Sequence, residues 1–156
     1  MATTVSRRPR TPCVGMCSTT YGDLVCRGCR RFAHEVVAWN GYDEAQKRAV
    51  LERLVRLREQ VVGGRLEVVD EARLDERLRR HRIPHGAGDG PLTRAYVLLR
   101  RGASRMRRLE AYGLRARPGW EHLAPEALRD RIDADLQQLS EAHYARFIAP
   151  PVAPVA

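Results

Sequence analysis

Along the chain, apolar positions fall into runs of helical period separated by short polar breaks. From about Arg30, the residues Phe32, Val36 and Trp39 recur at helical spacing, and Asn40-Gly41 supplies a stop. Asp43 followed three residues later by Gln46 has the form of a capping box. It opens a second helix to about Val62, with Val50, Leu54, Leu57 and Val61 on one face. Gly63-Gly64 ends that helix, and Leu66, Val68 and Val69 read as a brief extended segment with no obvious strand to pair with. Asp70 is the expected N-cap of a third helix carrying Leu74 and Leu78, closed by Ile83-Pro84. The stretch HGAGDG is a connector. After Pro91 a periodic helix is predicted to Tyr112, burying Leu92, Tyr96, Leu99, Ala103 and Met106. Arg94, Arg101, Arg105 and Arg108 then fall on its opposite side. Pro125 suits the first turn of a last helix, with Leu128, Ile132, Leu136, Leu139 and His143 inward and an end near Phe147.

These elements predict an all-α fold in which a small knuckle precedes a helical scaffold. The expected organisation is a cysteine-rich knuckle with two helices over 11–62, a short helix and flexible connector over 63–90, and a C-terminal helical hairpin over 91–148. The tail over 149–156, rich in proline, is expected to be disordered, and the polar, basic start with Arg7, Arg8 and Arg10 reads as an unstructured arm.

The knuckle is where the chemistry is concentrated. All four cysteines, Cys13, Cys17, Cys26 and Cys29, stand in one C-x3-C-x8-C-x2-C run. A two-residue gap lets two sulfurs converge when the backbone turns between them, and Gly28 lies in that turn. Four thiolates around one centre suit a zinc ion or an iron–sulfur cluster, and the spacing leaves these two open. Arg27, Arg30 and Arg31 would offset the charge of such a unit, the Gly28 turn would donate N–H groups to sulfur, and His34 stands nearby as a further residue of its surroundings. Three other readings compete: two disulfides, a redox C-x-x-C pair, and four unrelated buried cysteines.

The run PCVGMC, then LVCRGCRR, then His34-Glu35-Val36 and Trp39, resembles the bacterial family called domain of unknown function number 1289, and the later part of the chain resembles an extended subgroup of it. The resemblance rests on Pro12, Cys13, Gly15, Cys17, Cys26, Arg27, Gly28, Cys29, Arg31, Glu35 and Trp39 and covers about residues 11–60. It implies an iron–sulfur or cysteine-motif protein and brings no established reaction.

Composition sharpens the picture of partners. The 156 residues carry a formal net charge of +9, with Lys47 the only lysine. Eleven arginines lie between Arg77 and Arg115 against only Asp89 and Glu110. Such a chain attracts anionic partners, whether an acidic protein face or nucleic acid. No run approaches a membrane-spanning length, and no targeting segment is visible, so a reducing cytoplasm is the expected location. Four cysteines would saturate a tetrahedral site, and the remaining acids and histidines form no H-E-x-x-H, phosphate-loop or dinucleotide pattern. The leading expectation is therefore a non-enzymatic metal-binding module that docks an unidentified protein partner. The alternatives are a basic nucleic-acid-binding protein, using Arg94, Arg101, Arg105 and Arg108 as anion contacts, and an iron–sulfur electron carrier.

Overall fold

A computed structural model of the chain describes residues 11–15 and 17–150. The basic arm at 1–10 and the tail from 151 onward, on which the expectation of disorder falls, lie outside the described residues. Among the described residues, five α-helices and one two-stranded sheet are formed: α1 (Ala33–Ala38), α2 (Glu44–Gly63), β1 (Leu66–Val68), α3 (Glu71–Arg80), α4 (Pro91–Gly102), β2 (Leu114–Ala116) and α5 (Pro125–His143). The chain divides into two compact units. One, the cysteine lobe, runs to Leu54 and resumes at Gln137; the other, the arginine lobe, comprises Val55–Leu136.

In the cysteine lobe, α1 starts where the Glu35 side chain turns back to accept a hydrogen bond from the Phe32 N–H at 2.8 Å. The helix is short, and 3-10 geometry over Trp39–Gly41 ends it at the expected Asn-Gly stop. The capping box of α2 forms as a reciprocal pair. The Asp43 N–H donates to Gln46 Oε1 at 2.9 Å, and the Gln46 N–H donates to Asp43 Oδ1 at 2.8 Å. Trp39, Val50 and Leu54 make a small core, with Tyr42 and Leu51 packed against it. Glu35 is buried, and Arg53 of α2 grips it with two hydrogen bonds of 2.7 and 2.6 Å while its guanidinium lies 4.1 Å from the centre of the Phe32 ring. A two-pronged guanidinium–carboxylate pair fixes direction as well as distance, so it sets how α1 lies on α2. At the far end of the chain, Gln137 Nε2 donates to the Val25 carbonyl at 3.1 Å and Tyr144 packs edge-on to Phe32.

The arginine lobe is built on leucine. Leu66, Leu74, Leu78, Leu98, Leu99, Leu114, Leu128 and Ile132 are all essentially inaccessible, and burying each such side chain is worth roughly 1.5–3 kcal/mol before entropy is counted. Asp70 caps α3 by accepting from the Arg73 N–H at 3.0 Å, and Pro91 occupies the first turn of α4. Tyr96 of α4 donates its hydroxyl to Asp133 of α5 at 2.8 Å. Arg65 reaches Asp135 through two nitrogens at 3.1 and 2.8 Å and lies 4.1 Å from the Trp120 ring centre.

Two expectations about architecture are corrected. The fold is helical but not all-α: Leu66–Val68 does find a partner, pairing antiparallel with Leu114–Ala116 in the register Leu66↔Ala116, Glu67↔Arg115, Val68↔Leu114. Gly113 closes this joint. Its carbonyl accepts from the N–H groups of Val69 and Asp70 at 2.9 and 3.2 Å, and with φ +74° it has no room for a Cβ, which would lie 2.2 Å from the Asp70 oxygen. The helix predicted from Pro91 to Tyr112 stops instead at Gly102, giving way to separate 3-10 turns at Ala103–Arg105 and Leu109–Tyr112 with extended residues at Met106 and Arg108. The stripe still reaches the core, for Tyr96, Leu99, Ala103 and Met106 are buried. What breaks the helix is the need to bring Gly113 and β2 back beside β1. The four-cysteine metal knuckle is the third correction, and its grounds lie in the sulfur geometry.

Candidate functional site

The C-x-x-C segment forms the tip of a tight hairpin. The Cys26 N–H donates to the Arg31 carbonyl at 2.9 Å, the Arg30 N–H donates to the Cys26 carbonyl at 2.8 Å, and Val25 bridges Phe32 one step further out. Closing so short a loop puts Arg30 in the left-handed region at φ +65°, a conformation that costs a side-chain-bearing residue roughly 1–2 kcal/mol. Its guanidinium is held back on the loop, donating to the Gly28 carbonyl at 3.1 Å.

This hairpin brings several backbone N–H groups to the sulfur of Cys26. Burial pushes the Cys26 thiol up, but backbone N–H groups of Cys29, Ser18 and Gly28, with the Cys29 side chain, outweigh burial and bring it down to about 7 from the ordinary thiol value of 9.0. Ser18 arrives from the 3-10 turn Ser18–Tyr21, whose Ser18 hydroxyl also accepts from the Arg27 N–H at 2.8 Å. Cys29 behaves oppositely. Burial raises its thiol, and the charge of Cys26 adds to this, against the lowering influence of Arg31, whose Nε donates to Cys29 Sγ at 3.3 Å. The Arg31 guanidinium also lies 4.8 Å from the Trp39 ring centre, so one buried side chain links the hairpin to the lobe's core. The arrangement is a pair of neighbouring thiols whose acidities are shifted in opposite directions.

Cys13 and Cys17 are not gathered to this pair. Cys13 is exposed, its sulfur accepting from the Gly15 N–H at 3.4 Å, and the Cys17 sulfur is hydrogen-bonded to the Thr19 hydroxyl at 2.8 Å. Among the described residues, no group of three or more His, Cys, Asp or Glu side chains is arranged to hold a metal ion. The expected centre at Cys13, Cys17, Cys26 and Cys29, whether zinc or iron–sulfur cluster, is therefore corrected, and the electron-carrier reading with it. The physical reason is that each pair of cysteines folds into its own local hydrogen bonds.

The residues expected around that centre have other tasks. Gly28 supplies an N–H to the Cys26 sulfur and Arg31 supports Cys29, whereas Arg27 is largely exposed and pairs with Asp23 at 3.2 Å. His34 is exposed on α1 and stacks on Phe32 with ring centres 5.9 Å apart. Glu35 and Arg53 were not singled out as a pair by the sequence. A buried Glu at the third position of a helix, facing an Arg eighteen residues on, leaves no spacing signal.

The four arginines expected on one helix face are spread over three cavities of the arginine lobe. Arg94 is mostly buried, ion-paired with Asp75 and lying 3.8 Å from Glu71, and lines a cavity with His85 and Asp89. Arg101 and Arg105 line a second cavity, and Arg108, near Glu110 at 3.8 Å, lines a third. With α4 ending at Gly102, there is no single basic face to follow a phosphate backbone, and the nucleic-acid reading is corrected on that ground.

Residues 11–58 match the sequence model of a family described as a protein of unknown function (DUF1289). The match spans the cysteine run, α1 and most of α2, under a third of the chain, so the expected extension of the resemblance into the later residues is corrected, as is the metal-site role it implied. No curated protein and no solved structure matches the chain. No helix among the described residues is long and apolar enough to cross a membrane.

Proposed function

We propose that the chain is a non-enzymatic protein-docking module that binds its partner through the cysteine lobe. One observation carries this. Among the described residues, six of the seven exposed large apolar side chains, Val14, Tyr21, Leu24, Val37, Phe147 and Ile148, belong to that lobe, and only Val69 to the other. Two of them lie on segments tied to the start of α1: the Leu24 carbonyl accepts from Ala33 N–H, and Tyr144, three residues before Phe147, packs on Phe32. Exposed apolar surface gathered in one region is costly to leave in water and marks an interaction surface. Its partner is thus a protein presenting apolar side chains. The cytoplasm is the compartment we assign to this encounter, supported by the four cysteines all being free thiols.

Photo-crosslinking in cells tests the reading, with a benzophenone amino acid placed at Leu24, at Phe147, or at Arg56 of the arginine lobe. The expected result is one discrete heteromeric product from Leu24 and Phe147, absent from Arg56. The Tyr21→Ser/Val37→Ser change should abolish the Leu24 product without shifting the melting temperature. Equal products from all three positions, or none, would overturn the proposal.

A second reading is favoured by the Cys26–Cys29 pair. An acidified thiol beside a protonated one is the division of labour of a reversible dithiol. The Cys26 thiolate would attack a peroxide, taking one oxygen to become a sulfenic acid and releasing an alkoxide. The Cys29 thiol would then form the disulfide with loss of water. The burial of both residues, 2% and 7% exposed, restricts such an oxidant to a small molecule. Intact-mass measurement after peroxide treatment should show loss of two hydrogens in the parent, and none in Cys29→Ser. An unchanged parent mass removes this reading.

A further inference from the structure

We infer that the arginine lobe holds a small phosphate-type anion in the cavity between the ends of α3 and α4. This cavity, of about 220 Å³, is lined by His81, Arg82, Ile83, Leu98, Arg101, Gly102, Arg105 and Tyr112. Three arginines line it and no carboxylate does. That is unusual for this lobe. Arg65, Arg94, Arg115 and Arg129 each have a carboxylate partner, and the other two cavities contain acids: Asp75 and Asp89 in one, Glu110 and Glu121 in the other. Arg82, Arg101 and Arg105 make no ion pair among the described residues.

The helix ends explain part of this grouping. The C-terminal carbonyls of α3 and α4 carry partial negative charge, and a guanidinium nearby is stabilised by it. That accounts for individual arginines beside each helix end. It does not account for three arginines lining one concavity that no carboxylate lines. Backbone geometry points the same way. Arg82 is held at φ +53°, in the left-handed region, between Arg79 and Leu78, whose carbonyls accept from the N–H groups of Arg82 and Ile83 at 3.1 and 2.9 Å. This is the left-handed turn that ends α3, and it fixes where the Arg82 side chain leaves the helix. Tyr112 completes the lining, its ring 6.0 Å from that of His81. Guanidiniums match the tetrahedral oxygens of phosphate with paired N–H donors. The volume admits a phosphate with a small organic group, not a nucleic-acid strand.

The test uses the full chain at about 0.15 M salt, where long-range attraction is largely screened. Inorganic phosphate, pyrophosphate and a tricarboxylate are titrated separately and followed by calorimetry and amide chemical shifts. Saturable one-to-one binding of pyrophosphate is expected, with shifts at 81–83, 101–105 and 112. The Arg101→Gln/Arg105→Gln variant should lose at least tenfold in affinity, and Arg82→Gln a smaller factor. The Arg56→Gln/Arg73→Gln variant, with the same change in net charge but outside the cavity, should retain affinity within twofold. Equal losses in the two double variants would show general charge attraction and overturn the site. Tricarboxylate binding as tight as pyrophosphate would overturn the phosphate assignment, and so would shifts centred elsewhere.

Discussion

The two lobes solve the problem of a small domain in opposite ways. Residues 55–136 place eight leucine and isoleucine side chains out of contact with water and answer a surplus of eighteen arginines over thirteen carboxylates with side-chain ion pairs. Among the described residues, the cysteine lobe has a core of Trp39, Val50 and Leu54 and most of the exposed apolar side chains. Where apolar burial is plentiful, polar groups are free to decorate the surface and its cavities. Where it is thin, specific polar contacts must orient the elements, which is the part played by Glu35–Arg53 and by the hydrogen bonds of the cysteine hairpin. The difference teaches that the cysteine lobe depends on a few directed bonds, and the arginine lobe on packing.

The strongest way to break this comparison is to remove a directed bond. Arg53→Met leaves the Glu35 carboxylate buried and unpaired. Breaking such a pair costs about 3–5 kcal/mol, and the lower end applies because Arg53 is about a quarter exposed. Hydrogen exchange should show residues 24–54 losing protection while α3 and α4 keep theirs. Uniform loss would mean that the lobes do not fold as separable units.

Gly113→Ala probes the other lobe. The added methyl meets the Asp70 carbonyl in a left-handed residue, so a cost of more than about 2 kcal/mol is expected. Denaturant melts should report it, with loss of protection at Leu66–Val68 and Leu114–Ala116. A near-neutral effect would show that the β1–β2 joint is dispensable.

A smaller effect belongs to pH. Because Cys26 ionises more readily in the folded chain, its contribution to stability is fully present above the unfolded thiol value of 9.0. It is lost as pH falls through about 7. Cys29, with its thiol raised, acts in the opposite sense above 9.0. Stability should therefore climb between about pH 7 and 9. Thiolate absorbance should show one group per chain ionising near pH 7, absent in Cys26→Ser. An unchanged titration in that variant would sink the assignment to Cys26.

By itself, the sequence determined the parts whose physics is local. The box at Asp43 and Gln46, the cap at Asp70, the prolines opening α4 and α5, and the stripes Val50–Leu54–Leu57–Val61 and Leu128–Ile132–Leu136 were all legible within a few residues of chain. The stop at Asn40-Gly41 was equally plain. Only the tertiary structure decided what depends on residues far apart. Pairing Leu66–Val68 with Leu114–Ala116 spans 48 positions, and nothing in either triplet names the other. Returning the chain to make that joint ends α4 at Gly102 and sends Arg94, Arg101 and Arg108 to three different cavities. The cysteines show the same division. Spacing places four sulfurs within seventeen residues, but whether they converge depends on the path of each loop. Here the backbone amides of the Cys26 hairpin, the Thr19 hydroxyl and the Arg31 guanidinium each engage a sulfur separately. Helical periodicity and capping are written into a window of a few residues, whereas sulfur geometry and charge pairing are settled only when distant segments meet.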